Sequence, residues 1–281
     1  MTQEIPHINL SIGGVPEHFN LPWRLAIGSG ILKQHNIQAT WQDFHSGTGA
    51  MVQALNDGDV DVATLLTEGA IAALAKVPEH QRQFELYAFY TQTPLIWGVH
   101  VPQTTNLKSL KDIKDATFVI SRYGSGSHLM AYLLAESLGY DTNNLKFKII
   151  NNLQGARDLF KQGGDYVFLW EKFMTKPFVD NGEMRRLSDF PTPWSCFVTC
   201  VRKPILQQYP EQLESMMQSV LDTANELKKS PIKHKLIASE YQLEIEDVKD
   251  WLKTIRWQKT VRLDKELISE VQKKLEQLAI I

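Results

Sequence analysis

Cysteine is nearly absent from this 281-residue chain: Cys196 and Cys200 are the only two. Two thiols cannot build the disulfide framework of a small secreted domain, and they lack the companion pairs of a structural zinc site. Neither sign of charge dominates, with Lys+Arg 30 against Asp+Glu 32 and a net charge of -2. Binding to a phosphate backbone needs a basic stripe, so no nucleic-acid partner is expected. Long apolar runs are missing too. The longest uncharged stretch, residues 86–107, carries Gln, Thr, His, Pro94 and Pro102, so no membrane insertion is expected. Residues 1–16 contain an early acid, two prolines and a Gly pair, where a secretory signal has a basic segment and an apolar run. As written, the chain is expected in the cytoplasm, or in the periplasm or anchored at a surface if a signal peptide was trimmed. Paired-His spacing, a nucleophile elbow and a Walker loop are also lacking, so no metal, no cofactor and no catalytic set are expected. His45 and His100 stand alone and read as structural.

What is present is an ordinary globular balance, 43% hydrophobic and 22% charged. Strand and helix patterns alternate in the first half: a strand over 8–12, a helix carrying Trp23, Ile27 and Ile31 on one face, and a strand over 37–44. Ser46-Gly47-Thr48-Gly49 then opens a helix over 50–55, and a buried strand covers 60–66. That order favours a parallel α/β sheet. The plan returns with strands at 117–121, 146–150 and 165–170 and helices at 128–138 and 153–161. This is a weak repeat of architecture, and it argues for two similar lobes. After a strand-like run at 195–201, helices over 211–228, 232–241, 245–255 and 265–278 close the chain, with Asp264 as a helix cap.

Several segments resemble one known family. Leu25-Ala26-Ile27-Gly28, followed by residues 30–37, is similar to the "A-x-x-x-G-x-(F/L)-x-x-x-G-(I/L)" segment of the type II periplasmic-binding-protein superfamily. Within it, the likeness points to the branch that binds nitrate, alkanesulfonates and thiamine-pyrimidine precursors. Asn36 stands where glycine is usual, and Asn tolerates the left-handed turn. Residues 54–62 resemble "A-L-x-x-G-x-(I/V)-D-(V/A)", and residues 107–114 resemble "I-x-S-(L/P)-x-D-L-K-G-K". Trp170-Glu171 resembles "W-E-P" with Lys172 in place of proline, and 204–211 resembles the entry to the terminal helices. The match runs in order over nearly the whole chain. It implies a two-lobe α/β fold of the periplasmic-binding-protein-like II class. Lobe one would be residues 1–97 and 202–281, lobe two 98–201, with crossings near 97–101 and 197–201 and the C-terminal helices packing on lobe one.

In such a fold ligand binds between the lobes, at the carboxyl ends of the parallel strands. Five loops leave strand ends there. In 13–18, His18 donates to a ligand or sits in a plain turn. Ser46 and Thr48 meet an anionic or carbonyl group or merely cap a helix. Thr67 and Glu68 offer a polar contact or a helix-start charge. Tyr123, Ser125, Gly126 and Ser127 form an anion-friendly nest beside Arg122, or a glycine-rich turn with a Ser cap. Trp170 stacks on a planar ligand with Glu171 binding an amine, or they are a core Trp and a surface acid.

The function expected is a monomeric small-molecule binding protein that closes two lobes on a small polar metabolite, anionic or heterocyclic. It would resemble the substrate-binding proteins of ABC transporters, with a transporter or regulatory partner of unknown identity. The nests argue for an acidic or carbonyl group, and Glu68 and Glu171 for an amine or ring N–H. A pyrimidine precursor or an amino-sulfonate satisfies both. The alternative is a cytoplasmic biosynthetic enzyme on the same fold, of thiamine-pyrimidine or menaquinone-precursor type. Cys196-Phe197-Val198-Thr199-Cys200 only faintly matches the "CCCFC" segment of the former. A regulator that senses ligand through the closed cleft is a third class.

Overall fold

The computed structural model describes residues 6–281; residues 1–5 of the expected lobe one lie outside the described residues. Two five-stranded sheets form the frame. The first combines β1 (Ile8–Gly14), β2 (Ile37–Asp43), β3 (Val62–Leu65) and β4 (Phe84–Phe89) with β10 (Val198–Arg202), in the order β2-β1-β3-β10-β4. The second contains β5 (Ile96–Pro102), β6 (Thr117–Ile120), β7 (Lys146–Ile149), β8 (Tyr166–Glu171) and β9 (Met184–Pro191), in the order β7-β6-β8-β5-β9. Three parallel strands lead each sheet, and an antiparallel strand sits fourth. That fourth strand is the first one made after the chain changes lobes: β5 going out and β10 coming back. The architectural repeat seen in the sequence is this arrangement.

The early helices are α1 (Leu21–Ser29), α2 (Thr48–Asp57), α3 (Thr67–Ala75), α4 (Gly126–Ser137), α5 (Leu153–Phe160) and α6 (Lys176–Asp180). Helix α2 stops because Gly58 takes φ 83, a left-handed turn that costs glycine little. All four residues of β3 are buried because helices cover both faces of its sheet, so the strand reads as an unbroken apolar run. Strands β4, β5 and β9 escape a periodicity reading. Strand β9, MRRLSDFP, is a sheet edge with a mostly half-buried pattern, and β5 is buried on both faces inside the long uncharged stretch.

The last helices are α7 (Lys203–Gln208), α8 (Pro210–Lys229), α9 (Lys233–Tyr241), α10 (Ile245–Thr254) and α11 (Lys265–Gln277). Leu213, Met217, Val220 and Ala224 of α8 lie fully buried in one cluster with Ile12, Trp23 and Trp251, so α8–α10 pack on lobe one as expected. Helix α11 differs. Its Leu267 and Ile268 touch the lobe-one cluster under α2 and α3, while Val271 and Leu275 are buried with Leu129, Leu133 and Phe118 of lobe two. Lys274 adds an ion pair to Glu136 at the end of α4 (2.6 Å). The helix is apolar on two flanks and fills the seam behind the cleft. Leu275→Ala is expected to lower unfolding stability by about 2–5 kcal/mol, the usual cost of a buried Leu deletion. A shift of the urea midpoint reads it; an unchanged midpoint would place α11 outside the core.

The lobe crossings are residues 90–95 and 192–197, earlier than 97–101 and 197–201, because β5 and β10 are already committed to their sheets by ladder hydrogen bonds. The two segments bond to each other: Thr192 N donates to Leu95 O (3.0 Å) and Cys196 N to Thr93 O (3.1 Å). Together they form a paired ribbon between the lobes.

Candidate functional site

A strand followed by a helix leaves the helix N-terminus at the carboxyl edge of the sheet, and three such N-termini meet between the lobes. They surround a cavity of about 390 Å³. Helix α2 presents Ser46, Gly47 and Thr48, α4 presents Ser125, Gly126 and Ser127, and α5 presents Asn152, Leu153 and Gln154. First-turn amides have no acceptor inside their own helix and carry the positive end of its dipole. Arg122 adds a full charge. It reaches across the cleft to donate from Nη1 to the Ser46 carbonyl, and its buried Nη2 has no partner. Three dipoles and a guanidinium converge, so this end of the cavity is built for negative charge. Apolar walls come from Val15, Leu66, Leu95, Trp97 and Phe197.

The other end is acidic. Glu171, at the end of β8, is 3% exposed, and its Oε2 accepts the amides of Phe173 (2.8 Å) and Met174 (2.7 Å). Glu17, just past β1, is half-buried and lines the same cavity. Burial pushes the Glu17 carboxyl up to about 7. Burial, and then the charge of Glu17, push Glu171 up to about 8. Behind Glu171 lies His18, fully buried and stacked on Trp251 with ring centroids 4.0 Å apart. Its Nε2 is 3.7 Å from Glu171 Oε2, yet burial drives the imidazole down to about 3. At neutral pH the proton therefore rests on the carboxyl, and the contact is between neutral groups.

Of the residues singled out in the sequence, Ser46, Thr48, Ser125, Gly126, Ser127, Trp170 and Glu171 line the cavity. Four do not. His18 is behind the wall, as described. Thr67 and Glu68 form the first turn of α3 rather than a loop: Thr67 Oγ1 donates to Ser195 O (3.0 Å), and Glu68 Oε2 accepts from Trp194 Nε1 (2.9 Å). They tie α3 to the second lobe crossing. Tyr123 points outward, 63% exposed, edge-on to His128. The hydroxyls of Ser125 and Ser127 carry structural work as well: Ser125 Oγ caps α4 by accepting from His128 N (3.3 Å), and Ser127 Oγ accepts from Ser121 N (3.0 Å). Glu17 and His45, which carry no local motif in the sequence, also line the cavity.

Residues 97–190 match a family model described as Ca3427-like PBP. That segment is lobe two, with Arg122, the α4 N-terminus, Trp170 and Glu171. Over the whole chain, the CA3427 gene product of Candida albicans, described as exhibiting the generic periplasmic binding protein fold, is 27% identical with a TM-score of 0.86. The match covers 98% of this chain and 91% of that one. This chain has the type II periplasmic-binding-protein-like fold. The alkanesulfonate-binding protein SsuA of Xanthomonas axonopodis pv. citri, bound to MOPS, matches at TM-score 0.81 and 17% identity, over 98% of this chain and 95% of that one. PhnD1 of Prochlorococcus marinus, in complex with methylphosphonate, matches at TM-score 0.65 and 13% identity, over 97% and 99%. No curated protein matches the sequence.

Cys196 and Cys200 are fully buried, and burial pushes both thiols well above their ordinary range, away from nucleophilic thiolates. Among the described residues no group of three or more His, Cys, Asp or Glu is placed to hold a metal. No described helix is long and apolar enough to cross a membrane.

Proposed function

We propose that the protein is a small-molecule binding protein whose lobes close on a polar ligand carrying an anionic group. The observation that carries this reading is the convergence of the α2, α4 and α5 N-termini with Arg122 on one cavity between the lobes. MOPS and methylphosphonate, named with two of the similar structures, both bear such a group. The Arg122 bond to Ser46 joins the lobes, so a ligand held there stabilises the closed arrangement, and a transporter or regulator that reads closure is the partner this reading calls for.

Calorimetry with ethanesulfonate, methylphosphonate and nitrate tests it. At least one is expected to bind and to shrink the radius of gyration in small-angle scattering. Arg122→Gln is expected to weaken that binding about 10- to 100-fold, since a hydrogen bond to a charged group is worth ~1.5–3 kcal/mol. Ser125→Ala serves as the comparison. It loses a helix cap worth about 1 kcal/mol of stability, with a smaller, several-fold loss of affinity. If none of the anions binds, or Arg122→Gln binds as well as the parent, the reading falls.

A further inference from the structure

We propose that Glu17 and Glu171 form a cation-binding subsite, so that the ligand of this cleft carries an ammonium or amidinium group as well as its anion. This rests on the anion reading above and adds the second half of the recognition chemistry.

The two carboxyl groups come from opposite lobes, Glu17 from the loop after β1 and Glu171 from the end of β8. Both line the same cavity. Closing the lobes therefore brings two acids together, which is unfavourable unless a proton or a cation lies between them. Glu171 is locked in place: Oε2 is held by the amides of Phe173 and Met174, which leaves Oε1 for the cavity. The Arg186 charge acts on Glu171 and offsets part of the effect of burial, but its hydrogen bonds go elsewhere. Arg186 donates to the Lys172 carbonyl and to His100, and Arg122 is bonded to Ser46 at the anionic end.

His18 is the second, independent sign. It is fully buried, neither ring nitrogen has a hydrogen-bond partner, and Nε2 lies behind Glu171, 3.7 Å from its Oε2. A neutral imidazole there supplies no counter-charge, so ionising the two acids calls for a cation entering from the cleft. The raised carboxyl pKa values come from burial at Glu17, and from burial followed by the charge of Glu17 at Glu171. A bound ammonium reverses both effects and expels protons.

The probes are propane-1-sulfonate, 3-aminopropane-1-sulfonate and propylammonium, titrated calorimetrically at pH 6 and pH 8 in two buffers of different ionisation heat. The parent protein is expected to bind the amino-sulfonate about tenfold or more tightly than the plain sulfonate, on the scale of a charged hydrogen bond. Its binding is expected to tighten at pH 8 and to release protons. Glu17→Gln and Glu171→Gln are each expected to reduce the preference to near unity, with circular dichroism confirming the fold. Equal affinity of the two sulfonates in the parent, or a preference kept in both Gln variants, overturns the proposal. If neither sulfonate binds, the anion reading fails alone, and propylammonium decides the subsite. Proton-releasing binding lost in Glu171→Gln upholds it, and no binding rejects it.

Discussion

A Gly126→Val protein is expected to fold and to bind its ligand about 10- to 100-fold more weakly than the parent. Gly126 opens α4 and faces Leu66 of lobe one. An added Cβ would overlap Leu66 Cδ1 and stand 3.0 Å from Trp97 Cη2. Leu66 can swing away at its tip, whereas the Trp97 ring is 4% exposed and packed in its lobe. Valine brings two further methyl groups into the cavity. Overpacking costs ~1–3 kcal/mol; the part against Leu66 falls on the closed form, because separating the lobes removes it, while the part against Trp97, in the same lobe as Gly126, remains. The backbone at Gly126 is helical, so beyond the Trp97 contact the fold itself loses only a helix-propensity difference. Gly28→Ala is the control: it lies in α1, and an added Cβ meets nothing within 4 Å. Affinity by calorimetry and the ligand-bound radius by small-angle scattering read the result. Binding by Gly126→Val at parental affinity, with parental closure, would show that the lobes do not approach through this point.

Stability against pH gives a second large effect, centred on Glu171. Its folded pKa is about 8 against 4.5 for a free side chain. Between those values the folded protein holds more protons at this site than the unfolded chain, so stability falls as pH rises. Glu17 acts in the same direction up to about 7. His18 and His100, both lowered by burial to about 3, and His128, lowered to about 4, oppose them. An unfolded chain takes up those protons more readily, so the histidines make stability rise with pH until about 6.5, their ordinary value. Below that point the two sets offset each other. Above it only the carboxyls remain, and stability declines toward pH 8.

At ~1.4 kcal/mol per pH unit, the Glu171 part of that decline is about 2 kcal/mol. Glu171→Gln keeps an oxygen for the Phe173 and Met174 amides and has nothing to titrate. Its Tm is therefore expected to drop less between pH 6.5 and pH 8 than the parent's, by roughly 3–4 °C. Parallel Tm curves for the two proteins would mean that Glu171 is ionised in the folded state at neutral pH.

Most of the elements were legible in the sequence because their signals are local. The strand at 8–12 lies inside Ile8–Gly14, the helix at 211–228 inside Pro210–Lys229, and the one at 153–161 differs from Leu153–Phe160 by a single residue. Period, caps and glycine stops act within a few residues of one another, so one segment suffices to see them. The nest at 125–127 was visible for the same reason: a Ser cap and a glycine at a helix start are neighbours in the chain. What stayed hidden depends on which side a loop faces. The loop 13–18 offers both Glu17 and His18, and nothing local in the chain tells which of the two faces the cleft. Packing against Trp251 of α10, more than 200 residues away, turned His18 inward and left Glu17 to the cavity.

By itself, then, the sequence determined the two α/β lobes, the helices that carry the chain back to lobe one, and the loops whose glycines and hydroxyls stand at strand ends. The tertiary structure alone decided where the chain changes lobes, since ladder pairing of β5 and β10 sets the crossings at 90–95 and 192–197. It decided that Glu68 ties a helix to the ribbon between the lobes through Trp194, and that Arg122 spans the cleft to Ser46. It also set Glu17 against Glu171. These pairs lie 76 to 154 positions apart. Their chemistry exists only when two lobes face each other, and no periodicity within either lobe encodes that distance.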